Sequence, residues 1–173
     1  MRIGLFLPHV GVFGGVRRYL ELGNEWVAMG HAVTLYHPDG STPGWLPYFG
    51  ALAPLGTARH TESDVAIGGD SQSYADFIAH RARRHVYYCV LEGDPGLRLA
   101  AENPDVTLMA NSGPLLASLR KHSSRAVLDG IGGIRPERFK PDASQRAASP
   151  LRVLVNGRRS RAKKGTDLVL AAL

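Results

Sequence analysis

An apolar run, a glycine loop, a helical pattern and a second apolar run follow one another over residues 2–36. That order admits few folds other than a parallel α/β sheet. Residues 3–7, Ile-Gly-Leu-Phe-Leu, have the short apolar composition of a strand buried on both faces. Pro8 removes a backbone donor, and Gly11, Gly14 and Gly15 favour turn conformations, so the strand cannot continue. From about Val16 the apolar residues Val16, Tyr19, Leu20, Trp26 and Val27 recur at helical spacing, with Gly23 and Gly30 on the same face. Arg17, Arg18, Glu21, Asn24 and Glu25 fall on the other face. Gly30 ends the helix, and residues 32–36 form the next strand. The first amides of a helix lack partners and sit at its positive end, which makes Gly14 and Gly15 candidate anion-binding residues.

The unit repeats along the chain. Residues 64–67, 85–91, 105–110 and 125–128 read as strands. Helices are expected over 74–81, from about Pro95 through Glu102, and from a cap at Asn111 and Ser112 to about His122. The proline- and glycine-rich stretch 45–50 reads as an exposed loop. The predicted fold is therefore α/β, a Rossmann-like domain with a doubly wound parallel sheet over residues 1–140. Residues 141–150 have linker composition, and 151–173 look like the first βα unit of a second domain whose remainder is absent.

Composition narrows the function classes. At 173 residues, 44% hydrophobic and 21% charged, the chain can bury one substantial core. A formal charge of +6 suggests an anionic partner. The basic residues gather in two clusters, Arg81, Arg83, Arg84 and His85, then Arg158, Arg159, Arg161, Lys163 and Lys164. Neither has interleaved aromatics, and no nucleic-acid-binding signature accompanies them, so no nucleic-acid partner is expected. The first cluster reads as the solvated end of a helix. The single cysteine, Cys89, lies in an apolar run and reads as a buried thiol, which excludes an intrachain disulfide framework. No apolar run is long enough to span a bilayer and none resembles a secretory leader, so a cytoplasmic protein is expected, with peripheral membrane association left open. The seven histidines show no metal-ligand spacing, and neither a metal nor a cofactor is expected.

Three segments together resemble glycosyltransferase family 4. The run Gly14-Gly-Val-Arg-Arg-Tyr-Leu-Glu-Leu22, leading through Met29-Gly-His-Ala-Val-Thr34, is similar to that family's opening glycine loop, first helix and second strand. Asn111 and Ser112, then Gly130 and Ile131, then Arg138-Phe139-Lys-Pro141, resemble the end of its amino-terminal domain. Gly157 and Arg158 with Lys164-Gly165-Thr-Asp167 resemble the elements that open its donor domain. The resemblance implies a GT-B fold and retaining transfer of a sugar from a nucleotide diphosphate to an acceptor hydroxyl, on a glycan, a lipid or a small molecule. It implies that Arg158 and Lys164 contact the donor diphosphate, with Gly14 and Gly15 approaching from across the cleft. Departing diphosphate charge calls for such fixed cations and N–H donors. Lys163 competes with Lys164, because the loop between Gly157 and Gly165 is one residue longer than usual. The family's frequent histidine after the strand at 64–67 is replaced by Gly68, Gly69 and Asp70. Asp70 either contacts substrate or caps the following helix. His9, Gly69, Asp70, Tyr88 and Glu92 are the candidates for the acceptor side. The acidic pair that holds the donor belongs to the second domain in the family, beyond Leu173, so the chain as given is expected to bind a sugar nucleotide weakly and not to transfer.

Two other classes fit parts of the pattern. A nicotinamide-dependent oxidoreductase also places its cofactor over a first βα turn, with Asp39 as a mimic of the ribose-binding acid. Its G-x-G-x-x-G spacing is not matched by Gly11, Gly14 and Gly15. A non-catalytic module that holds a sugar or an anion is the third reading.

Overall fold

A computed structural model describes residues 1–91 and 93–133, together with Ala171. Met1–Gly133 forms one compact unit. The expected linker and the second-domain segment, with Arg158 and Lys164, lie outside the described residues apart from Ala171.

The described residues form an α/β fold around one seven-stranded sheet. The strands are β1 (Arg2–Phe6), β2 (Ala32–His37), β3 (Ala51–Pro54), β4 (Glu62–Gly68), β5 (Arg81–Cys89), β6 (Val106–Ala110) and β7 (Val127–Asp129). Their spatial order is β3-β2-β1-β4-β5-β6-β7, and every pairing is parallel. The helices are α1 (Gly14–Ala28), α2 (Tyr74–Ala79), α3 (Pro95–Glu102) and α4 (Gly113–His122). A 3-10 helix, Leu55–His60, joins β3 to β4.

Alternation along the strands builds two cores, one on each face. Ile3, Leu5 and Leu7 pack with Val16, Tyr19 and Leu20 of α1. Phe6 points the other way, into a cluster with Phe77 of α2, Ala100 of α3, and Leu115 and Leu116 of α4. Chain progression therefore winds one way from β1 under α1, and the other way from β4 under the remaining helices. This is the doubly wound arrangement that the repeated units predict. Phe6, Leu5, Leu20 and Leu35 are fully buried, and each such side chain contributes about 1.5–3 kcal/mol.

Several local expectations are corrected by tertiary contacts. The stretch 45–50 is not a free loop. Trp45 Nε1 donates to the Val10 carbonyl at 2.8 Å, and Asn24 brackets the stretch by donating to the Pro47 carbonyl at 2.9 Å and accepting from the Phe49 amide at 2.8 Å. Trp45, Leu46 and Tyr48 thereby cover the α1 face, and Gly23 leaves room for the Tyr48 ring, which lies 2.8 Å from where a Cβ would be. The loop then enters β3, a strand its composition conceals. The basic cluster at 81–85 is not a helix end either. Helix α2 stops at Ala79, and Arg81 begins β5, in register with Glu62 of β4. Backbone pairing along the whole of β4 outweighs the helical propensity of arginine there. Ser112 occupies the N-cap position of α4, but its side chain makes no capping bond.

Candidate functional site

Parallel strands deliver their following loops to one edge, and β1 is the point where the strand order reverses, flanked by β2 and β4. Ligands of such sheets bind in the crevice outside the carboxyl ends of the strands at that point. The loops after β1, β4, β5, β6 and β7 all open onto this edge, so Gly14, Asp70, Val90, Asn111 and Gly132 share it.

A cleft of about 240 Å³ lies there, lined by Gly14, Gly15, Arg18, Val90, Asn111 and Gly132. Gly14 is the first residue of α1, and no atom lies within 4 Å of where its Cβ would be. At Gly15 that position meets only Val90 Cγ1, at 3.9 Å. The two glycines leave their wall of the cleft free of side chains. Asn111, also in the lining, is held by its backbone N–H, which donates to the Cys89 carbonyl at 3.1 Å.

Arg18 supplies the cleft's positive charge. Its Nε donates to Tyr88 Oη at 3.1 Å, and Tyr88 Oη donates to the Gly130 carbonyl at 2.9 Å. Arg18 Nη2 reaches the same carbonyl at 3.5 Å. The guanidinium lies so close to Gly132 that a Cβ there would overlap it, at 1.3 Å from Nη2. Any side chain at residue 132 would therefore displace the Arg18 guanidinium from this position.

The expected site residues fall into separate groups. Gly14 and Gly15 line the cleft. Tyr88 is 1% exposed and meets the cleft through Arg18. Gly69 is wedged next to it: a Cβ at Gly69 would lie 2.3 Å from Tyr19 Oη and 2.4 Å from the Tyr88 carbonyl oxygen. Asp70 does not cap α2, whose N-cap is Ser73. It closes a local turn instead, its Oδ1 accepting from the Gln72 amide at 2.7 Å. His9 is exposed, its ring is tilted against that of Phe13 with the centres 4.9 Å apart, and it accepts from the Gly11 amide at 3.2 Å. Glu92, Arg158 and Lys164 lie outside the described residues.

Burial sets the protonation of the aromatic hydroxyls behind the cleft. Tyr19 Oη is buried and has no hydrogen-bond partner. Burial, and then the neighbouring Tyr88, hold its hydroxyl well above the ordinary tyrosine range. Tyr87 is likewise pushed up by burial and by its hydrogen bond to Asp94 Oδ2. Neither is suited to act as an anion. No cluster of histidine, cysteine or acidic side chains that could hold a metal occurs among the described residues. No helix among them is long and apolar enough to cross a membrane.

Arg18, Val90 and Gly132 escape a reading of the sequence. On a helical wheel Arg18 sits beside Arg17 on the polar face, and nothing in the pattern separates the two. Arg17 pairs with Glu21 at 3.0 Å, whereas Arg18 reaches residues 70 and 112 positions away.

No family model, no curated protein and no solved structure matches this chain. The α/β fold and the cleft are accordingly the firm ground for function.

Proposed function

We propose that the chain is the acceptor-side part of a retaining glycosyltransferase that moves a sugar from a nucleotide diphosphate to an acceptor hydroxyl. The observation that carries this reading is the cleft at the carboxyl edge, whose lining combines the bare Gly14 and Gly15 with Arg18. Breaking the bond to a nucleotide diphosphate leaves charge on the departing phosphate, and preorganised donors aimed at that charge lower the barrier. The glycine wall brings backbone donors close to a phosphate, and Arg18 adds a fixed cation. In this reading Arg158 and Lys164 complete the diphosphate site from the donor side. Asp70, His9 and Glu92 contact the acceptor, with Gly69 and the buried Tyr88 behind them, and the reaction needs neither a metal nor a redox cofactor. The acceptor is a glycan, a lipid or a small molecule, and the setting is cytoplasmic.

Calorimetric titration of the chain with uridine, guanosine and thymidine diphosphate sugars, with nicotinamide dinucleotides, and with free oligosaccharides tests the reading. Weak binding of one sugar nucleotide supports it. Binding of a nicotinamide dinucleotide alone replaces it with an oxidoreductase, and binding of oligosaccharide alone with a non-catalytic sugar module.

A further inference from the structure

We infer that Arg18 makes this cleft a phosphoryl-binding site in its own right, one that holds a phosphate or diphosphate group without cations from elsewhere in the chain. The inference deepens the glycosyltransferase reading and rests on it only for the identity of the molecule that carries the phosphate.

The charge of Arg18 is unanswered among the described residues. Arg2, Arg17 and Arg98 each pair with a glutamate, at 2.9, 3.0 and 2.9 Å. Arg125 spends its guanidinium on four backbone carbonyls. Arg18 is half-buried, meets no carboxylate among the described residues, and its bonds there go to a neutral hydroxyl and a carbonyl. A partly desolvated cation without a counter-ion is costly unless a ligand provides one.

The side chain is also pre-set for that ligand. Guanidinium carries five N–H donors in a planar fork. The bonds to Tyr88 and Gly130 use the Nε hydrogen and one on Nη2, which leaves both hydrogens of Nη1 and one on Nη2 unused by them. Tyr88 Oη cannot rotate away, because its own hydrogen is committed to the Gly130 carbonyl at 2.9 Å. The Gly132 backbone stands beside both Nη atoms, since a Cβ there would lie 1.3 Å from Nη2 and 1.7 Å from Nη1. Little rotamer freedom is left to lose on binding, which favours capture of a phosphate by the hydrogens still free.

Size sets the class. The 240 Å³ of the cleft falls below the roughly 300–1,000 Å³ of pockets that enclose whole drug-sized ligands. A phosphoryl group with part of a sugar or ribose suits it better than an entire nucleotide. The phosphate therefore belongs either to the donor diphosphate or to a phosphorylated acceptor.

Titrating the isotopically labelled 173-residue chain with inorganic phosphate, pyrophosphate, uridine diphosphate and glucose 6-phosphate, followed by NMR, tests this. The expected result is a shift of the Gly14, Gly15 and Asn111 amides and of Arg18 Nε. Arg18→Gln should bind about tenfold more weakly or worse, and Arg18→Lys should recover only part of the loss. Tighter binding of pyrophosphate and uridine diphosphate than of glucose 6-phosphate assigns the group to the donor, and the reverse order assigns it to the acceptor. If Arg18→Gln does not fold, Tyr88→Phe serves instead, since it frees the guanidinium while keeping the ring, and it should weaken binding several-fold. Wild-type affinity in a folded Arg18→Gln or Tyr88→Phe chain overturns the inference, as does the absence of any shift at these amides. Phosphate binding through Arg18 without any sugar-nucleotide binding keeps the inference and removes the glycosyltransferase reading. Sugar-nucleotide binding that ignores Arg18 does the opposite.

Discussion

His80 Nε2 lies 2.9 Å from Ser63 Oγ, and both residues are buried under the sheet at 2% and 6% exposure. His80 Nδ1 faces the Ala58 carbonyl at 2.8 Å, so this nitrogen carries the hydrogen and Nε2 accepts from the serine hydroxyl. Gly4 of β1 leaves room for the pair, since a Cβ there would stand 3.1 Å from Ser63 Oγ. Burial holds the imidazole below its ordinary value of 6.5, and the nearby His85 adds to the effect against the opposing Ala58 bond. The unfolded chain therefore binds the proton more readily than the folded one. The stability from neutral His80 is fully present above pH 6.5 and is lost as pH falls from 6.5 towards the lower folded value. Thermal melts from pH 8 to pH 5 should show His80→Gln less stable than the native chain at pH 8, with the gap narrowing as the solution is acidified. A gap that stays constant across the range rules the account out.

Arg125 closes the carboxyl end of α3. Its Nη1 donates to the Asn103 and Val106 carbonyls at 2.7 and 3.0 Å, and its Nη2 to the Ala100 and Ala101 carbonyls at 3.2 and 2.7 Å. Helix-terminal carbonyls lack intrahelical partners, and a cation there also meets the negative end of the helix dipole. Arg125→Ala should lower unfolding free energy in urea by about 2–3 kcal/mol, and Arg125→Lys should recover less than half, because one ammonium cannot span four carbonyls. Equal stability of the lysine and arginine forms would show that charge alone suffices.

Gly69 and Gly14 should respond oppositely to alanine. The methyl of Gly69→Ala would lie 2.4 Å from the Tyr88 carbonyl oxygen, a backbone atom that cannot swing aside. A loss of about 1–3 kcal/mol or more follows from overpacking. Gly14→Ala meets nothing within 4 Å, and alanine is favoured over glycine in a helix, so stability should hold or rise by up to about 1 kcal/mol. That methyl would still intrude on the cleft wall and should weaken phosphate binding. Paired urea titrations decide the matter, and comparable stability of the two variants contradicts the packing described around Gly69.

Cys89 should be inert in the folded chain. It is 1% exposed, and burial pushes its thiol up to about 12, so almost no thiolate exists at neutral pH. Labelling by iodoacetamide at pH 8 should therefore proceed only at the rate of unfolding and accelerate in urea along the unfolding transition. Fast stoichiometric labelling in buffer would place the thiol elsewhere than at the end of β5.

The sheet was legible in the sequence because its information is local. Short apolar runs and a period-3.6 apolar pattern, broken by glycine, mark β1, α1, β2, β4 and the later βα units within a few residues, and parallel order follows from their alternation. The glycine loop was legible for the same reason, since Gly14 and Gly15 interrupt a pattern on either side of them. Tertiary structure decided what rests on distant partners. Strand β3 exists because residues 51–54 pair with β2, and Arg81 joins a strand because β4 supplies a register for it. Arg18 differs from Arg17 only through Tyr88 and Gly130, and Ser63 becomes a partner of His80 only once β4 and the start of β5 lie side by side. Periodicity reports which face a side chain takes, whereas the atom it meets across that face depends on the packing of segments the chain brings together last.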